Sequence, residues 1–138
     1  LVAIPPASGF VGPMSAIIIG LVAGVLCYGG VLLKVRLGYD DSLDVVGIHG
    51  VGGTWGALAT GLFASTAINP GGADGLFFGN PHQLWIQLVS VAATMVFAFV
   101  MTVIILKGVD LMVGLRITEE EEEKGMDVVL HNETGYSF

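Results

Sequence analysis

Three apolar runs, at residues 14–33, 43–64 and 84–106, limit what this chain can become. A helix rises about 1.5 Å per residue, so twenty or so apolar residues reach about 30 Å, the depth of a bilayer's hydrocarbon core. The third run can continue helically to Leu115; at that length, about 50 Å, it must tilt or protrude. The stretch "PPASGFVGP" precedes the first run, and "STAINPGGADGLFFGNP" separates the second from the third; both are rich in helix breakers. The chain is 54% hydrophobic and 12% charged over 138 residues, whereas a soluble domain carries roughly 25% charged residues. So much apolar surface exceeds what a core of this size can hide. The reading is all-α: a polytopic transmembrane helical bundle with spans at about 14–34, 43–64 and 82–115.

Charge supplies a direction. The five cations are Lys34, Arg36, Lys107, Arg116 and Lys124, and none falls in residues 1–13 or 65–81. With three crossings they all lie on one side, the cytoplasmic side by the positive-inside rule. This predicts a multi-pass protein of the cell membrane, with residues 1–116 as its transmembrane part and residues 117–138 as a cytoplasmic tail. Much of the net charge of −7 comes from the run Glu119 to Glu123. Without a basic patch, nucleic-acid binding is disfavoured. The single Cys27 excludes a disulfide within the chain and reads as a small packing residue. The chain opens at Leu1 inside an apolar stretch, with no basic leader, and reads as part of a longer membrane protein.

Packing marks recur along the runs. Gly20 and Gly24 form GxxxG in the first, as do Gly52 and Gly56 in the second, a spacing that lets backbones approach closely. Gln83, Gln87, Ser90 and Thr94 share one helical face, expected to point at protein and not at lipid.

The second run opens with an unusual cluster, "DDSLDVVGIHGVGGTWGALATGLFA". Asp41 or Ser42 suits the helix N-cap and Asp44 its first turn, where carboxylates satisfy free N–H groups and oppose the dipole. Capping explains part of Asp40 and Asp41 and less of Asp44. His49 lies deeper, with Gly53, Gly56 and Thr60 following at helical spacing. It either hydrogen-bonds neutrally between helices or, as intramembrane ionisable residues do by default, serves function. A neutral imidazole offers one donor and one acceptor, which suits a small polar solute or a proton relay.

That stretch closely resembles the histidine-bearing helix of the ammonium transporter family (Amt/MEP/Rh). "LVAIPPASGFVGPMSAIIIGLVAGVLCY" resembles the family's preceding segment, with Pro5 where Thr is expected. "GLRITEEEEEKGMDVVLHNETGY" resembles its cytoplasmic tail, with Asn132 and Gly135 where Gly and Ala are usual. The resemblance implies the last three spans of an eleven-helix fold, assembled as a homotrimer with one hydrophobic pore per subunit. His49 matches the second of two pore histidines, and Val45, one turn earlier, is expected to line the same lumen. The first histidine, the aromatic recruitment site and the phenylalanine gate belong to earlier helices, so this chain alone is not expected to form a complete pore. Asp40, Asp41 and Asp44 fall at the cytoplasmic mouth. The resemblance further implies that the tail, with Gly125, Asp127 and Tyr136, couples subunits near the docking surface of a PII-type regulator.

The tail also carries local signals. Thr118 and Glu121 have capping-box spacing, and Gly125 suits a helix end in the left-handed conformation. Two other functional classes remain beside ammonium transport. One is an ammonium sensor; the other is a membrane enzyme using the Asp/His group, for which no nucleophile or metal ligands stand nearby. No cofactor is expected.

Overall fold

The computed structural model describes residues 1–135, and every regular element among them is helical. Tyr136 lies outside the described residues. The chain divides into two compact units, Leu1–Met95 and the residues from Val96 onward.

Helix α1, Pro13–Leu37, starts where proline's missing N–H costs nothing and ends at Gly38, whose φ is +67°. Lys34 and Arg36 occupy its last turn, against the negative end of the dipole. Helix α3, Pro81–Val113, runs 33 residues, or about 50 Å. Gly114, at φ +78°, follows it. Among the described residues, α1 and α3 are the two helices long and apolar enough to cross a membrane.

The middle apolar run departs from the single helix expected over 43–64. Leu43 and Asp44 stand outside it, and Asp44 adopts φ +55° instead of joining a first helical turn. A π turn of five residues, Val46–Gly50, comes first, and α2, Val51–Phe63, continues from it for thirteen more. Gly50 and Val51 both hold right-handed helical dihedrals, so the two pieces are continuous. Together they reach about 27 Å.

α1 and α2 form an antiparallel hairpin, and the contacts follow in order along it. Lys34 meets Asp44, Gly30 meets Gly47, Cys27 meets Gly52, and the Trp55 indole N–H donates to the Ile19 carbonyl at 3.0 Å. The breaker-rich N-terminal segment folds onto this pair as a 3-10 turn, Pro5–Ala7. Ala3, Ala7, Ile19 and Ala59 form the core, with Ile4, Val11, Ala23, Trp55 and Phe63 packed around them. The core is small-sided: Ile19 is its one large, fully buried side chain among the described residues. Ala3 fits because Gly56 lacks a side chain; a Cβ there would lie 2.9 Å from the Ala3 Cα.

Of the two GxxxG pairs, Gly52 and Gly56 mediate close approach. Gly20 and Gly24 meet nothing within 4 Å among the described residues. The polar face of α3 does turn toward protein: Gln87, Ser90 and Thr94 line a groove of about 230 Å³ with Gly53, Thr54 and Ala57 of α2.

The segment over 65–80 is ordered by its own hydrogen bonds. Asp74 accepts from the Thr66 N–H at 2.7 Å and from its hydroxyl at 3.0 Å. Ser65 N–H donates to Phe10 at 2.9 Å, and Phe63 stacks obliquely on Phe77 with ring centroids 5.0 Å apart.

In the second unit, α4, Glu119–Lys124, and α5, Met126–His131, are short helices joined at Gly125. The capping box forms: Glu121 N–H donates to the Thr118 hydroxyl, while the Glu121 carboxylate accepts from Thr118 N–H at 2.9 Å. Arg116 grips Glu122 with two hydrogen bonds, at 2.7 and 2.9 Å.

Candidate functional site

The acids at the start of the middle apolar run have distinct places. Asp41 caps the helix with both oxygens, accepting from the Val45 and Val46 N–H groups at 2.9 Å each. Its carbonyl accepts from Lys34 Nζ at 2.9 Å and from Asp44 N–H at 3.0 Å, which closes a tight turn over 41–44. The Asp44 carboxylate forms an ion pair with Lys34, and its Oδ1 is sealed from solvent behind that ammonium. Asp40 stands apart from this set and accepts from the Ser42 hydroxyl at 3.3 Å. Capping therefore belongs to Asp41. Asp44 is an ionic link to α1 and lies outside the helix, because its left-handed backbone turns the chain before the helix begins.

His49 is carried by the π turn. A five-residue turn is uncommon, and such turns inside helices frequently mark functional sites. Gly47 is the buried residue of the turn, pressed on α1; Val45 and His49 are exposed. Among the described residues the His49 ring has no hydrogen-bond partner, so its donor and acceptor face outward from the hairpin. The small residues that follow His49 lie in the regular helix α2, where Gly56 packs on Ala3, Thr60 is buried and bonds the Gly56 carbonyl, and Gly53 lines the groove facing α3.

Sequence reasoning missed three contributors. Lys34 was read as a topology marker, Cys27 as packing, and Trp55 was not singled out. A signal existed for Lys34, a cation ending one apolar run while three acids open the next. The Cys27 thiol donates to the Ile48 carbonyl at 3.6 Å, a contact no spacing rule would find.

In the tail, Gly125 takes φ +94° and ψ 130°. This corrects the left-handed helical conformation expected there: φ is positive, but ψ is extended, so the chain turns sharply between two helices instead of closing one. The Asp127 carboxylate lies 2.7 Å from where a Cβ on Gly125 would stand.

Comparison with known proteins gives a consistent result. A family model described as Ammonium Transporter Family matches residues 1–136. The "Ammonium transporter" of Bacillus subtilis is 55% identical over 137 residues, covering 99% of this chain and 34% of its own length. "Ammonium transporter Amt1" of Archaeoglobus fulgidus is 47% identical, with the same coverage of each. The crystal structure of Saccharomyces cerevisiae Mep2 superposes with a TM-score of 0.79 at 35% identity, covering 86% of this chain and 28% of that one. The chain thus spans about a third of the length of the curated relatives it matches.

Proposed function

This chain belongs to the ammonium transporter family, and from that premise we propose that it is the C-terminal part of a pore moving ammonium or ammonia across the cell membrane. Within it, His49 and Val45 line the lumen. The observation that carries the reading is the placement of His49: an imidazole exposed on a π turn, in an apolar segment, with no partner among the described residues to use up its donor and acceptor.

The chemistry follows from solvation. A bare ammonium ion loses heavily on entering an apolar lumen, whereas ammonia loses little. The ion passes its proton to the imidazole relay before the narrow part. Neutral ammonia then passes His49, which presents one donor and one acceptor and can relay a proton. A second imidazole, supplied by an earlier helix, faces it. The protein acts as a transporter and not as an enzyme.

The same reading gives three crossings within residues 1–116, with the acids at 40, 41 and 44 at the cytoplasmic mouth and the tail, 117–138, in the cytoplasm. The basic residues support that side. Subunits assemble as a homotrimer, Gly125, Asp127 and Tyr136 serve coupling between them, and a PII-type protein docks on the cytoplasmic face. The test is a chimaera in which this chain replaces the matching segment of the Bacillus subtilis relative. His49→Ala should abolish methylammonium uptake or loosen its preference over potassium while assembly is kept. Unchanged uptake and selectivity would make His49 a packing residue.

A further inference from the structure

One face of α1, carrying Cys27, Gly30 and Lys34, touches the π turn and its lead-in at three successive points. The Cys27 thiol donates to the Ile48 carbonyl at 3.6 Å. A Cβ on Gly30 would stand 3.0 Å from the Gly47 Cα, so the two backbones lie against each other. Lys34 Nζ binds the Asp41 carbonyl at 2.9 Å and pairs with the Asp44 carboxylate. It therefore holds both ends of the 41–44 turn, from which the Asp41 carboxylate caps the helix.

These contacts matter because of what a π turn does to direction. Each residue in an α-helix advances the side-chain direction by about 100°. A turn that takes in one residue more than usual re-aims every side chain on it relative to the chain before. It also interrupts the regular i→i−4 ladder. The Ile48 carbonyl accepts from the Val51 N–H at the end of the turn, and the thiol of Cys27 reaches the same oxygen from the neighbouring helix.

We propose that the Cys27–Gly30–Lys34 face of α1 is a seat that fixes the rotation of the π turn, making these three positioning residues for His49 and Val45. The inference rests on the pore reading above and deepens it. The small residue sets the distance, the thiol holds the irregular carbonyl, and the ammonium anchors the turn from which the helix starts.

The experiment is a double-mutant cycle in the chimaera described above. Lys34→Met keeps the length of the side chain and removes its charge. Methylammonium uptake should fall about tenfold, a milder loss than full misplacement of a positioned group causes. Its preference over potassium should narrow in the same sense as in His49→Ala, and Lys34→Arg should recover part of both. Because Lys34 acts through His49, the double variant should be no worse than His49→Ala alone. Fold-losses that multiply, or a Lys34→Met protein with normal uptake and selectivity, would overturn the proposal. Should Lys34→Met fail to assemble, Cys27→Ala serves, since it removes only the thiol donor. Selectivity there should shift about twofold, the scale of one weak hydrogen bond, and unaltered selectivity would overturn the seat. A His49→Ala protein indistinguishable from the parent would strike down the pore reading itself, and the seat with it.

Discussion

Gly30 and Gly47 meet backbone to backbone across the α1–π turn contact: a Cβ on Gly30 would lie 3.0 Å from the Gly47 Cα, and one on Gly47 would lie 3.0 Å from the Val31 nitrogen. The obstructing atoms are backbone, so neither can swing aside. Gly47→Ala is expected to destabilise the protein by about 1–3 kcal/mol, as overpacking does in a well-packed interior. Gly50→Ala is the control, since its new methyl would meet only the Val46 side chain at 3.8 Å and alanine favours helix. Thermal aggregation of the detergent-solubilised chimaera should show a lowered midpoint for Gly47→Ala and none for Gly50→Ala.

The placement of the cations predicts sidedness. In intact cells, a membrane-impermeant maleimide should label cysteines introduced at Ser65 or Ala67 and spare one at Glu133. The opposite pattern would reverse the topology.

The tail turn predicts a trans effect. Gly125→Asp places a Cβ at φ +94°, a conformation L-residues rarely adopt, and against the Asp127 carboxylate 2.7 Å away. The strain is about 1–2 kcal/mol for the backbone alone, and like charge adds to it. Transport should fall, and in cells co-expressing normal subunits it should fall by more than the mutant fraction. Activity strictly proportional to the normal fraction would mean independent subunits. Glu119→Gln with Glu123→Gln should change little, because exposed charges contribute little. Glu121 is different in kind, since its carboxylate closes the capping box.

The tail also predicts a pH dependence. Glu121 is held below the usual glutamate value of 4.5 by the Thr118 N–H and then by the Thr118 hydroxyl, and Glu122 is held below it by Arg116. A carboxyl whose folded value is depressed steadies the fold above its unfolded value. That contribution is lost as pH falls through the folded one. The α4 cap should therefore be constant from neutral pH down to 4.5 and fray below it. The amide resonance of Thr118 reports this directly; a shift centred above 4.5 would contradict it.

The apolar runs and their glycine and proline borders were legible because helix length and solvation act locally. Helices α1 and α3 cover the first and third apolar runs, and the Thr118–Glu121 box came from spacing alone. The middle span was read as one regular helix because its apolar residues hold a helical period in either backbone. A π turn alters hydrogen bonding without altering composition, so nothing in "VVGIHGVGG" announced it. The shared phase of Gly53, Gly56 and Thr60 lies in the regular helix α2, whereas His49 lies in the π turn before it, through which a count of 3.6 residues per turn does not carry.

By itself the sequence determined that this chain is helical, is too apolar for a core of its own, and keeps its cations out of residues 1–13 and 65–81. Each of these depends on the transfer energy of side chains and the short reach of capping groups. Only the tertiary structure decided which glycines touch, which aspartate caps and which pairs, and where His49 faces. Those outcomes turn on backbone approach between segments far apart in the chain. A close contact such as Gly30 on Gly47, or a left-handed residue such as Asp44, is selected by the neighbour it lets in.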